Sequence, residues 1–216
     1  MPDTTDKKNK RALALLLFTP LASLQKEIRI GSGSIHRAFG TIFDTYEESA
    51  QIGPALRSGY GALSTGLTSL IRAALLKGYR DGVAHTGVTD ARFAAGISKL
   101  AEAEGKKTAK QMLQTSKDWM KKNGSDGYTL SKERAEAAAD YKASEAYFNA
   151  LAAVFRKSGD VWEKSWNTTS DDPCEEICLE NEDEGFIPMD AEFPSGHYAP
   201  LGHLHCMCTL TVRRSL

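Results

Sequence analysis

Every cysteine of this 216-residue chain lies between Cys174 and Cys208, and the same stretch holds His197, His203 and His205, three of the five histidines. That placement constrains the fold more than any other feature. From residue 171 onward the chain carries ten acids and the prolines 173, 188, 194 and 200, with few large apolar side chains to bury. A unit this small seldom holds together on a hydrophobic core alone and needs a staple. The staple on offer is Cys174-x3-Cys178, then 27 residues, then Cys206-x-Cys208 with His203 and His205 beside the second pair. Soft thiolates and imidazole suit zinc, whose structural sites take four such ligands and add folding free energy directly. Four of the five groups Cys174, Cys178, His203, Cys206 and Cys208 would complete a structural site, leaving His197 and His205 beside it or at the surface. Disulfides, for instance 174–206 with 178–208, and unbridged thiols stay open on the spacing alone. No H-E-x-x-H or H-x-E pattern points to a catalytic metal.

The overall formal charge of -1 conceals a division. Residues 1–170 carry 25 Lys and Arg against 18 Asp and Glu, whereas residues 171–216 carry 2 against 10. The basic and acidic parts are therefore expected to face different partners.

Residues 1–10 are polar and read as a disordered start. The apolar run that follows, "RALALLLFTPLASLQ", falls well short of the roughly 20 residues a spanning helix needs. It lacks a small-x-small cleavage pattern, so it predicts an amphipathic or core helix over residues 10–30 and no export. Residues 31–60, with "GSGS" at 31–34, read as linker plus a short helix around "IFDTYEESAQ". Leu63, Leu67, Leu70, Ile71, Ala74 and Leu75 then form one apolar stripe at helical spacing, ended by Gly82 and "HTG". A second helix is expected from Thr89 or Asp90, with Phe93, Ile97, Leu100, Ala101, Ala109, Met112, Leu113, Ser116 and Met120 inward, a kink at Gly105 and a stop at "KNGSDG". A third opens after Ser131 and shows Ala135, Ala139, Ala143, Ala146, Tyr147, Ala150, Leu151, Val154 and Phe155, with Gly159 placed to cap its end.

Beyond Gly159 "VWEKSWNTT" and "CTLTVRR" have strand character, and Trp162 and Trp166 are expected to lid a small core. The acid-rich "ENEDEG" lacks the spaced ligands of a calcium loop and reads as a solvated loop. The fold class is thus mainly α, long helices followed by a small mixed α+β, loop-rich C-terminal module with a Cys/His cluster. The expected division is an arm or linker with short helices over 1–60, a helical domain over 61–158 and the small module over 159–216.

The module's motifs are similar to a known pattern. Trp166, Thr168, Asp171, Cys174 and Cys178, followed by Pro200, Leu201, His203, Cys206, Cys208, Thr209 and Leu210, resemble the C-terminal signature of the phage Mu protein F-like minor head proteins of tailed phages. The likeness covers about residues 144–212. It departs from the family in the three-residue spacer between the first cysteines, in a Gly inserted before His203, and in Leu204, His205 and Met207 within the closing motif. The resemblance implies a non-enzymatic virion protein needed for head morphogenesis, located inside or at the portal vertex of the head. It would be made in the host cytoplasm, with portal and other capsid proteins as partners, packaged double-stranded DNA as a neighbour bound without sequence preference, no membrane partner, and a homo-oligomer left open.

No P-loop, G-x-S-x-G or G-x-G-x-x-G is present. For nucleic acid the candidates are Lys106, Lys110, Lys117 and Lys121, along one side of a helix, which would neutralise phosphates weakly and without sequence preference. Two alternatives belong to other classes. A toxin-like effector or nuclease on the same module would need a polar catalytic cluster, and a zinc-stabilised DNA-binding protein would need basic residues around the metal where this chain has acids.

Overall fold

A computed structural model describes residues 16–18, 33–46, 51–168, 176–200, 202–203, 206 and 208–215. The expectation of disorder over residues 1–10 lies outside them. The chain divides into two compact units, one from Pro20 to Val154 and one combining Phe155–Leu216 with the N-terminal residues through Thr19.

The larger unit is helical. Helix α1 (residues 33–46) buries Ile35, Ala38, Phe39 and Ile42. Helix α2 (Ile52–Thr86) buries all six residues of the expected stripe, from Leu63 to Leu75. It starts earlier than that stripe suggests, because Pro54 falls in the first turn, where its missing N–H costs nothing. The helix also passes through Gly82 and stops at Gly87, which has a positive φ of 70° and donates its N–H back to the Val83 carbonyl. Part of the stretch read as linker is likewise helical, from Gly33 onward.

Helix α3 (Ala91–Lys157) begins where Asp90 accepts the Phe93 N–H at 2.9 Å, the cap its side chain suggested. It is two helices joined at Gly124, whose φ of 56° and ψ of -131° are open to glycine without strain. The break expected in "KNGSDG" is there, but helix resumes at once, and Ser131 lies inside it, donating to the Gly127 carbonyl at 2.5 Å. The expected kink at Gly105 is absent. That residue stays helical, and a β-carbon there would fall 2.4 Å from the Thr68 hydroxyl oxygen, so the glycine serves close approach. Of the inward stripe, Leu100 proves 48 % exposed, whereas Ile97, Ala101, Ala109, Met112, Ser116 and Met120 are buried. The alanine-rich stripe of the second half is buried throughout, from Ala135 to Val154.

Those alanines let helices touch at the backbone. A β-carbon at Gly78 would fall 2.1 Å from the Tyr147 carbonyl oxygen, an approach only glycine permits. Beside that contact the Tyr147 hydroxyl donates to Asp81 at 2.6 Å, and Lys77 donates to both oxygens of the same carboxylate at 2.6 Å. Burial, followed by the Asp81 carboxylate, holds the Tyr147 phenol well above its ordinary range. Gly78→Ala should therefore be destabilising although alanine is the better helix former: the overpacking cost of roughly 1–3 kcal/mol exceeds the propensity gain of about 1 kcal/mol. Urea unfolding of the variant beside the wild-type chain measures the difference.

The smaller unit is built on an antiparallel sheet of order β1-β4-β2-β3, with β1 Leu16–Phe18, β2 Trp162–Asn167, β3 Ile187–Pro188 and β4 Thr209–Arg214. Trp166 pairs with Leu210 and Lys164 with Val212, so the pleat places Trp162, Lys164 and Trp166 on one face with Leu210 and Val212. β1 corrects the expectation of a helix over residues 10–30: Leu16–Phe18 is extended and pairs with Leu210–Val212. An apolar run without polar alternation fits either state, and here it covers an edge that β4 would otherwise leave open. Helix α4 (Glu176–Asp183) corrects a second reading. Most of the "ENEDEG" stretch is helical, and Asn181 is fully buried, its amide donating to the Ser195 hydroxyl at 2.8 Å and its carbonyl accepting the Ser195 N–H at 3.1 Å. No described helix is long and apolar enough to cross a membrane.

Candidate metal centre

α4 turns its buried face, Cys178 and Asn181, toward the sheet unit, and Thr168 at the end of β2 ties it down. The Thr168 N–H and hydroxyl donate to the two oxygens of Glu182 at 2.9 and 2.6 Å. Ahead of β4 the Cys206 N–H donates to the His203 carbonyl at 3.3 Å. The result is that residues 25 or more positions apart meet. One ligand atom each from Cys178, His203 and Cys206 all lie within 4.8 Å of one another, and this group could hold a metal ion.

The Cys178 and Cys206 sulfurs are 3.8 Å apart. Two thiolates on one tetrahedral zinc, each about 2.3 Å from the ion, would stand roughly 3.8 Å from each other. Both residues are fully buried, and the described cysteines 178, 206 and 208 are thiols without a disulfide. Cys208 is buried next to the group: the hydrogen bond with Cys206, then burial, then the neighbouring sulfurs push its thiol far up. Three thiols in one dry place resist ionisation unless a cation joins them.

Trp166 supplies a second observation bearing on fit. Its ring is fully buried and meets Phe193 edge-on at 5.3 Å. Its indole N–H finds no hydrogen-bond acceptor among the described residues, yet it is the one neighbour that favours the Cys208 thiolate. A buried N–H left beside sulfur suits a metal-bound thiolate, which accepts such bonds well. The donor set and this orphaned donor thus fit a cation held by soft ligands.

Cys174 and His205 lie outside the described residues. His197 is not part of the group, and its Nδ1 is 2.9 Å from the Ser195 hydroxyl that also holds Asn181. In the helical unit Lys106 is engaged with Glu102 at 2.5 Å, Lys110 and Lys117 line a groove, and Lys121 is exposed.

Lys164, which sequence reasoning passed over, sits in the core of the same unit with its side chain almost wholly hidden. Its ammonium donates to the Tyr198 carbonyl at 2.7 Å and lies 5.3 Å from both the Phe193 and Tyr198 ring centres. Burial lowers it from an ordinary 10.5 to about 8, against the pull of Asp190 and Glu192. A base lowered in the folded state binds fewer protons there than in the unfolded chain between those two values. Stability therefore rises as pH climbs from about 8 to 10.5, and the penalty is complete below 8. The shift corresponds to at most about 3 kcal/mol. Urea titrations at both ends of that range should show the wild-type module gaining by about this much relative to Lys164→Met; an equal response would contradict it.

Fold and site together define a helical protein that carries a small sheet module with a buried Cys/His group able to hold a metal ion. No family model, no curated protein and no solved structure matches the chain.

Proposed function

We propose that this chain is a non-enzymatic minor head protein of a tailed phage, with a C-terminal module stapled by structural zinc. The observation that carries the reading is convergence. The positions that resemble the phage Mu protein F-like signature are spread over some 45 residues of sequence, and those described gather in one small core. Trp166 pairs across the sheet with Leu210, Thr168 anchors α4 through Glu182, and Cys178 meets Cys206 with His203 beside them. A signature whose purpose is to fold a module around an ion would need this gathering. The acidic charge of the module leaves it suited to a protein surface, portal or capsid, rather than to bare DNA. Zinc is preferred because the donors are thiolates and imidazole in a closed, buried setting.

Within this reading the module stabilises and docks, and turns over no substrate. The test is to raise antibodies against the chain and follow it through purified virions of the phage that encodes it. It should co-sediment with DNA-filled heads, and deletion should leave particles that lack infectivity. A chain absent from purified heads, or dispensable for infectious ones, would overturn the proposal.

A further inference from the structure

The geometry points to a second binding site: the groove between α2 and the first half of α3 takes one strand of a nucleic acid by its phosphodiester backbone. This does not rest on the metal centre or on the head-protein reading. The groove has a volume of about 500 Å³ and brings Arg57 of α2 together with Lys110 and Lys117 of α3. Among the described residues none of the three cations is in an ion pair, whereas Lys106, one turn before Lys110, is engaged with Glu102. Three cations converging without a counter-charge repel one another, and a bound anion relieves that cost. No carboxylate lines the groove, and Asp118, next to Lys117 in the chain, accepts from the Gln114 amide at 3.2 Å.

Lys110 and Lys117 are two turns apart, about 10.5 Å along the axis, so the charges form a row. The same groove is lined by Leu56, Leu113 and the ring of Tyr60, an apolar floor with one flat aromatic side chain. This pairing of a cationic row with an apolar, partly aromatic floor separates the possible occupants. A duplex keeps its bases stacked away from a surface that grips its phosphates, and would leave the floor empty. A single strand offers both features, one charge and one flat ring per nucleotide, which is what aromatic-lined basic grooves use without sequence preference. The volume also suits a nucleotide or two and not a rod.

The test uses the full chain and a fluorescein-labelled single-stranded oligonucleotide of about 12 nucleotides. Anisotropy is followed across added salt, with a duplex of the same sequence and a Glu-rich peptide of matched charge as competitors. The proposal expects the single strand to compete best. The double variant Arg57→Gln/Lys117→Gln should lose about tenfold in affinity and flatten the slope of log affinity against log salt by about 1.4, two phosphate contacts' worth. Tyr60→Ala should weaken binding several-fold at an unchanged slope. Arg80→Gln, exposed on α2 and about 35 Å along its axis from Arg57, should bind as the wild type does, and far-UV spectra check that each variant keeps its helices. The proposal is overturned if no strand binds, if the double variant binds like wild type, or if the duplex or peptide competes as well as the single strand.

Discussion

Replacing Cys206 with Ser should empty the metal centre and unfold the C-terminal module while the helical unit keeps its far-UV signal. Serine matches cysteine in size but supplies a poor ligand for a soft site, and the loss of one thiolate forfeits a large part of a binding free energy on the order of 10 kcal/mol. The module has little with which to absorb this. Two of its four strands are only two or three residues long, its apolar core is small, and Lys164 occupies part of the core face. Emission from Trp162 and Trp166 should shift to the red as water reaches them, leaving Trp119 of the helical unit as an internal reference. Were Cys206 merely a packed thiol, the same change would cost only about 1–3 kcal/mol, the price of an unsatisfied hydroxyl, and the module would stay folded.

The second large effect is expected at Trp166. Its ring meets Phe193 edge-on and lies beside Gly202, so it ties β2 to the segments that carry those two residues. Trp166→Ala should destabilise the module by about 3–5 kcal/mol, the usual cost of deleting a buried tryptophan. Trp166→Phe separates packing from chemistry. It retains most of the buried ring and removes the N–H that favours the Cys208 thiolate, so it should keep the fold while weakening metal retention about tenfold. Competition with a chelator of known affinity reads that difference. Equal metal retention by the Phe variant and the wild type would show that the indole N–H has no part in the centre.

Which of these features the sequence revealed follows from how local their causes are. The stripes of α2 and α3 were readable because burial recurs at 3.6 residues, and residues such as Leu67, Ile97 and Ala143 need no knowledge of their neighbours. The convergence of Cys178, His203 and Cys206 was readable from chemistry: a segment with little core has few other ways to hold a shape. β1 was not readable, because its state depends on a partner strand almost 200 positions away. Asn181 was missed for a similar reason, since an acidic context suggests solvent and only the loop around Ser195 explains its burial. Lys164 could have been found. It stands two residues from Trp162 and two from Trp166, and the pleat alone puts all three on one face. Arg57 of the groove could not, because nothing in its own helix indicates that Lys110 and Lys117 lie opposite.

The central claim, that the module is held by an ion shared among Cys178, His203, Cys206 and a neighbouring thiol, is tested most directly by X-ray absorption at the zinc edge together with elemental analysis. The sample is the full chain purified under reducing conditions. About one zinc per chain is expected, with a first coordination sphere of sulfur at about 2.3 Å and nitrogen at about 2.0 Å. A metal-free chain whose module is nevertheless folded and unfolds cooperatively would contradict it.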